Sequence, residues 1–282
     1  VADECSALVG NLEWMTGEQV RARVPCFTQR QIAAGLLEPD AMDIDVHALH
    51  MGCLRQFAAR GGRLANDAEV RALDFTGGAW RVSTSTGEFR AGRVVNAAGA
   101  WADEIGRLAG AKPIGLVPKR RTVITFDPPA GVDVGGWPAV IDVDEQWYIK
   151  PDAGRILASP ADETPSLPCD ARPDEYDVAV VVDRLSRATT LQVPRIVARW
   201  AGLRSFVEDG LPVVGFDPRV PHFFWQAGQG GHGIQTAPAV SRLAAALLDG
   251  GPVPVDIADL GIDAGVLAPT RSSLSAASRS AA

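Results

Sequence analysis

A mixed α/β fold with two interleaved regions is the architecture this sequence predicts. Two segments read as strand, small-residue loop and helix, and the stretch between them reads as strands and loops. A chain of 282 residues that is 46% apolar and 22% charged has an ordinary globular composition, with enough apolar side chains for one large core or two modest ones.

The elements follow in order. Asp43-Ile44-Asp45 precedes Val46, Leu49, Cys53, Leu54 and Phe57, an apolar stripe at helical spacing that stops at Arg60-Gly61-Gly62. This predicts a capped amphipathic helix. A short strand is expected at Arg63-Leu64. A small meander follows from Glu69–Leu73, Trp80–Thr84 and Glu88-Phe89, divided by Gly77-Gly78 and Thr86-Gly87. Val94-Val95-Asn96 reads as a buried-type strand that enters the small residues Ala97-Ala98-Gly99-Ala100 and then a helix to about Leu108. From Pro113 to about Gly215 a mixed sheet is expected, with a hairpin turning at Pro151-Asp152-Ala153-Gly154 and a helix near residues 173 to 188. Phe223-Phe224-Trp225 leads into Gln229-Gly230-Gly231-His232-Gly233-Ile234-Gln235 and a helical pattern from Ala239 to Leu248. Beyond Ala268 the chain is rich in Ser and Ala and is expected to fray.

The bulk chemistry excludes some partners. A net charge of −7 gives no general attraction to phosphate backbones or anionic membranes, so a small molecule is a better partner than nucleic acid. Cys5, Cys26, Cys53 and Cys169 show no CxxC pairing, which argues against a disulfide framework or thiolate zinc site and fits a reducing cytoplasm. No apolar run is long enough to span a bilayer. His47, His50 and Cys53 share one helix face, but no fourth ligand follows at ligand spacing, and no metal site is expected.

The glycine loop before the last helix is the first candidate site. Exposed N–H groups at a helix N-terminus carry partial positive charge and stabilise an adjacent anion, and glycines let a flat ring approach the backbone. A plain tight turn into a helix is an equally good reading of the loop by itself. No GxGxxG motif occurs before the glycine loop itself, where Gly228, Gly230 and Gly233 fall at that spacing.

Five segments, in this order, resemble successive signatures of the D-amino-acid oxidase superfamily of flavoenzymes: Val94–Ala102, Pro118-Lys119-Arg120-Arg121, Trp147–Pro151, Trp200–Ser205 and Gly230–Gln235. The resemblance runs from about Val24 to Pro254. With Lys119-Arg120-Arg121 and Trp147-Tyr148 present, the set is most similar to the D-arginine dehydrogenases. It implies an incomplete FAD-binding Rossmann-like domain, residues 43–107 and 221–252, interleaved with an antiparallel or mixed sheet domain for substrate, residues 108–220. Residues 1–42 would form a helical and loop part on the substrate side, and 265–282 a flexible tail. The first βαβ unit of the family, with its GxGxxG turn, is expected upstream or on another chain. Without it, the isolated chain is expected to bind FAD weakly or not at all and to leave apolar faces of Val94-Val95 and the last helix uncovered.

The resemblance also implies site residues. Val70 would lie on the adenine side of FAD, Ala98 and Gly99 near the ribose and pyrophosphate, and Gly230, Gly231, His232, Gly233, Ile234 and Gln235 around the isoalloxazine. Arg204 would bind the substrate α-carboxylate through a bidentate fork, Tyr148 would donate a hydrogen bond to it, and Arg121 would be a second cation there, with Gly202, Gly231 and Gln235 lining the same pocket. The implied reaction oxidises the Cα–N bond of a D-amino acid, D-arginine among the candidates, to an imino acid by hydride transfer to flavin N5. A glycine or sarcosine oxidase-like activity is the second reading, and a non-catalytic remnant or subunit the third. The electron acceptor stays open between O2, a quinone and others. Each residue also has a plainer explanation: Arg204 as a surface partner of Glu208, Tyr148 as strand packing, Lys119-Arg120-Arg121 as a solvated basic patch, and His232 as an exposed loop histidine.

Overall fold

A computed structural model describes residues 10–28, 30 and 32–274. Cys5 and the part of the Ser/Ala-rich tail beyond 274 lie outside the described residues.

In chain order the elements begin with β1 (Glu13–Thr16), α1 (Gly17–Arg23), β2 (Ala34–Leu37) and α2 (Val46–Ala59). The meander strands β3 (Val70–Thr76), β4 (Ala79–Thr84) and β5 (Gly87–Ala91) follow, then β6 (Val94–Asn96), a 3-10 turn (Gly99–Trp101) and α3 (Ala102–Leu108). Next come β7 (Val117–Phe126), β8 (Val140–Ile141), β9 (Tyr148–Asp152), β10 (Arg155–Ser159), β11 (Thr164–Pro165) and α4 (Glu175–Ala188). The last are β12 (Ala198–Phe206), β13 (Val213–Phe216), β14 (Phe223–Ala227), α5 (Gly233–Leu248), α6 (Val255–Ala258) and α7 (Ala264–Leu267).

These elements form two compact units. The first comprises Val1–Asp43, Arg120–Thr164 and Asp170–Leu203, and the second Ile44–Lys119, Pro165–Cys169 and Arg204–Ala282. The second unit thus takes in residues 108–119 and 204–220, which the sequence reading assigns to the substrate region.

The first unit is built on a six-stranded sheet of order β11-β7-β10-β9-β8, with β12 also paired to β7. Its core joins Ile124, Phe126, Ile149 and Ile156 to Val178, Val181 and Leu185 on one face of α4. Asp174 caps α4 by accepting from the N–H of Tyr176 at 2.9 Å. The β9–β10 hairpin turns on Ala153 and Gly154 alone, with φ of 48° and 79°. Two positive φ values suit the right-handed strand twist, so Pro151 and Asp152 stay in the strand instead of forming the turn.

Lys119-Arg120-Arg121 is not a solvated patch. Arg120 reaches Asp177 at 2.8 Å, Asp174 at 3.6 Å and Asp162 at 3.8 Å, and Asp162 also accepts from the backbone and hydroxyl of Thr122. Arg121 pairs with Glu163 at 3.1 Å.

The second unit holds the antiparallel meander β3-β4-β5 and a three-stranded sheet of order β13-β14-β6, in which β14 runs parallel to β6. Its core stacks Trp80, Phe223 and Trp225 with Val213 and Ala102, and the Trp225 indole donates to Asp217 at 3.0 Å. Strand β6 is an edge among the described residues, with Val95 42% exposed. Helix α2 forms as expected, capped by Asp45 accepting from Ala48 N–H at 2.8 Å, but its apolar stripe buries no residue completely. Arg63 and Leu64 form no strand: Leu64 is 66% exposed and the segment finds no partner strand among the described residues.

The expected tail at residues 265–282 is anchored in its described part. Arg271, with a side chain only 6% exposed, binds both carboxylate oxygens of Asp209 at 2.6 and 2.9 Å and the carbonyls of Leu211, Pro212 and Leu267. One arginine with this many acceptors outweighs the sparse apolar content of the segment.

Candidate functional site

The carboxyl ends of the parallel pair β6 and β14 open into two loops, Ala97–Ala98 and Gly228–His232, and open α/β sheets bind ligands at such ends. A cavity of about 460 Å³ lies there in the second unit, lined by Ala97, Arg204, Gln226, Gln229, Gly230, Gly231, Gly233, Ile234, Thr236, Ala237 and Val240.

The glycine loop is shaped by its neighbours on β12. Gly230 adopts φ of +55° and its N–H donates to the Ser205 carbonyl at 2.9 Å. A left-handed residue in tight contact favours glycine, and a Cβ at 230 would lie 2.8 Å from the Phe206 ring. Arg204 lies along Gly231, where an added Cβ would come within 3.0 Å of Nη1. Arg204 and Phe206, two residues apart on a strand, both meet the loop.

Helix α5 starts at the cavity. No side chain caps its first turn and no acidic residue stands there, so the partial positive charge of its N–H groups is not neutralised locally. A half-buried guanidinium beside this helix end makes the cavity suited to a ligand with anionic character.

Of the residues singled out in the sequence, Arg204, Gly230, Gly231, Gly233 and Ile234 come together in this cavity. Ala97 lines it from the β6 loop, while Ala98 and Gly99 follow in the turn, where the buried Asn96 amide donates to the Ala102 carbonyl at 2.8 Å and fixes the chain's course. His232 and Gln235 adjoin the cavity and are exposed. Val70 is half-buried at the start of β3, packed on the Trp80 core. Gly202 is exposed on β12. Tyr148 and Arg121 belong to the sheet of the first unit, both partly buried. Sequence reasoning missed Phe206, Gln226 and Gln229. The period-two alternation from Arg204 pointed to Phe206, and the glutamines flank the glycines directly.

A family model described as FAD dependent oxidoreductase, DAO, matches residues 1–247. The chain belongs to this family. Among the relatives of this DAO chain, mouse dimethylglycine dehydrogenase is 27% identical over 262 residues, covering 86% of this chain and 30% of the mouse protein. Glycine oxidase of Geobacillus kaustophilus is 27% identical over 243 residues, covering 84% of this chain and 62% of that enzyme. The chain therefore spans less than two thirds of either relative. The crystal structure of the Geobacillus glycine oxidase superposes with a TM-score of 0.79 at 24% identity, covering 96% of this chain and 71% of that one. An iminodiacetate oxidase from Chelativorans gives 0.76 at 20% identity, covering 94% and 69%. These neighbours share the mixed α/β, Rossmann-like flavoenzyme fold.

FAD is the cofactor of the DAO family. The cavity fits it: a helix start with no capping side chain and no carboxylate in its first turn, beside a half-buried guanidinium, suits an electron-rich edge. Ala97, Gly230, Gly231, Gly233 and Ile234 are the residues that would hold it. Among the described residues no helix is long and apolar enough to cross a membrane.

Proposed function

We propose that this chain forms part of an FAD-dependent enzyme that oxidises the Cα–N bond of a small amino acid or N-substituted glycine to an imine. The observation that supports this reading is the packing of Arg204 on Gly231 at the start of α5, a guanidinium beside the glycine loop. FAD, when bound, supplies the acceptor for the substrate's hydride.

The protein's own residues do the rest. Arg204 binds the carboxylate and fixes the substrate's orientation, so positioning supplies much of the rate. The N-terminus of α5 favours negative charge that develops against it during reduction. Burial of the carboxylate against Arg204 excludes water from one end of the substrate.

Small substrates are favoured over D-arginine by the relatives named for glycine and dimethylglycine. D-amino acids, the leading reading of the sequence, become the second here, supported by the resemblance at Lys119-Arg120-Arg121 and Trp147-Tyr148. The test is anaerobic mixing of the FAD-loaded full-length protein with glycine, sarcosine, dimethylglycine and a panel of D- and L-amino acids, following flavin bleaching. Rapid bleaching by N-methylated glycines or glycine is expected. Bleaching by D-arginine alone would reverse the order of the two readings, and none by any amine would remove both.

A further inference from the structure

Four of the six residues from Gly228 to Gly233 are glycine, the chain composition that loses most conformational entropy on being fixed. A cradle that must meet a ligand at defined distances therefore needs fasteners outside itself. The hydrogen bonds supply some: Gly230 N–H to Ser205 O at 2.9 Å, His232 N–H to Gln229 O at 3.2 Å, the Gln229 amide to Gln226 O at 3.1 Å, and the Thr236 N–H and hydroxyl to His232 O at 3.0 and 2.9 Å. The Phe206 ring provides a further support, filling the space beside Gly230. The ammonium of Lys119 stands over the ring, 4.8 Å from its centroid. A cation over an aromatic face is attracted by the ring's quadrupole and restrains the ring's orientation.

We propose that Lys119 and Phe206 are positioning residues for the glycine loop: the ammonium holds the Phe206 ring against Gly230, and the ring keeps Gly230 in its left-handed conformation with Gly231 packed on Arg204. The pair acts on the loop in the protein without ligand. Its consequence for flavin and carboxylate binding rests on the function proposed above, whereas the ordering of the loop does not. This also gives Lys119 a role separate from that of its neighbour Arg120, which is committed to Asp177 and Asp162.

Peptide-resolved amide hydrogen exchange on the full-length protein without added FAD tests the latch directly. In Lys119→Met, which keeps the stem and loses the charge, residues 228–235 should exchange about two- to fivefold faster, the range set by a partly exposed cation–π contact. Lys119→Arg, which keeps a cation for the ring, should restore the slower exchange. Phe206→Leu should give a larger increase, Phe206→Tyr little, and adding Lys119→Met to Phe206→Leu nothing further, because the cation acts through the ring. Peptides covering residues 79–91 should be unchanged throughout.

Unchanged exchange at 228–235 in Lys119→Met, or additive effects in the double variant, would overturn the proposal. If Phe206→Leu fails to fold, the comparison of Lys119→Met with Lys119→Arg decides alone. FAD affinity, measured in parallel, separates the two ideas: faster exchange with unaltered flavin affinity supports the latch and counts against the cradle.

Discussion

Arg204 and Gly231 are packed so closely that a single methyl group at residue 231 would stand 3.0 Å from the guanidinium Nη1. Such a contact forces the neighbour to give by a few tenths of an ångström, a shift the flexible end of a long arginine makes by turning away from its line along the loop. Gly231→Ala is therefore expected to misplace the carboxylate clamp while the protein stays folded. The expected result is a KM for the amino-acid substrate raised about 3- to 30-fold, with a smaller change in kcat. Steady-state kinetics beside a thermal melt checks it, and an unchanged KM would show that Arg204 does not need this backbone.

Asp209 anchors the chain's described end through Arg271. The hydrogen bonds from Arg271 hold the Asp209 carboxyl far below the usual carboxylate range, helped by Ser273 and the Leu211 N–H and opposed by partial burial. A carboxyl depressed on folding contributes stability that is fully present above its unfolded value of about 4 and is lost as pH falls toward the folded value. The protein should then lose stability below about pH 4 with a steeper slope than an Asp209→Asn variant. Arg271→Ala, which leaves a partly buried carboxylate unpaired, should cost about 2–4 kcal/mol at neutral pH. Urea unfolding across pH measures both, and parallel curves for the parent and Asp209→Asn would rule the linkage out.

The Arg120 cluster gives a second stability test. The Asp162 and Asp177 side chains are 6% and 10% exposed, so removing their cation strands two buried carboxylates. Arg120→Met is expected to destabilise by about 2–4 kcal/mol, and combining it with Asp177→Asn should recover part of that loss. Denaturant midpoints for the single and double variants give the comparison. A double variant no more stable than Arg120→Met would mean that Asp177 does not depend on Arg120.

Much of this architecture was legible in the sequence because it is local. Asp45 before Val46, Asp174 before Glu175 and the glycines after Ala227 mark element ends by capping and φ chemistry that need no tertiary knowledge. The meander and the strand–loop–helix at residues 223–248 were legible for the same reason. What was not legible depended on partners distant in sequence. Arg271 looks like part of a frayed tail until Asp209 is beside it, and Arg120 looks like a surface charge until three aspartates surround it. Leu64 failed as a strand because no edge accepts it. In the site, glycine spacing exposed the loop, whereas Phe206 emerges only when β12 is seen to run under Gly230.

The carboxylate clamp itself allows the most demanding prediction. A bidentate guanidinium–carboxylate contact in a partly desolvated pocket is worth on the order of 2–5 kcal/mol when one partner is truncated, much of it from the charge left unpaired. Arg204→Ala should therefore lower kcat/KM by roughly 30- to several-thousand-fold, at about 1.4 kcal/mol per decade, and leave the bound flavin's spectrum intact. Arg204→Lys should recover only part of the loss, since a point ammonium cannot reproduce the planar fork. The measurement is steady-state kinetics of the full-length enzyme with its best amine substrate and an artificial electron acceptor, beside the same series on a substrate amine that lacks a carboxylate. The carboxylate-free amine should be turned over almost equally by parent and Arg204→Ala, because that substrate offers no carboxylate for the guanidinium to bind. Near-normal kcat/KM for Arg204→Ala on the amino acid would remove Arg204 from the clamp and leave Arg121, held by Glu163 at 3.1 Å, as the cation to test next.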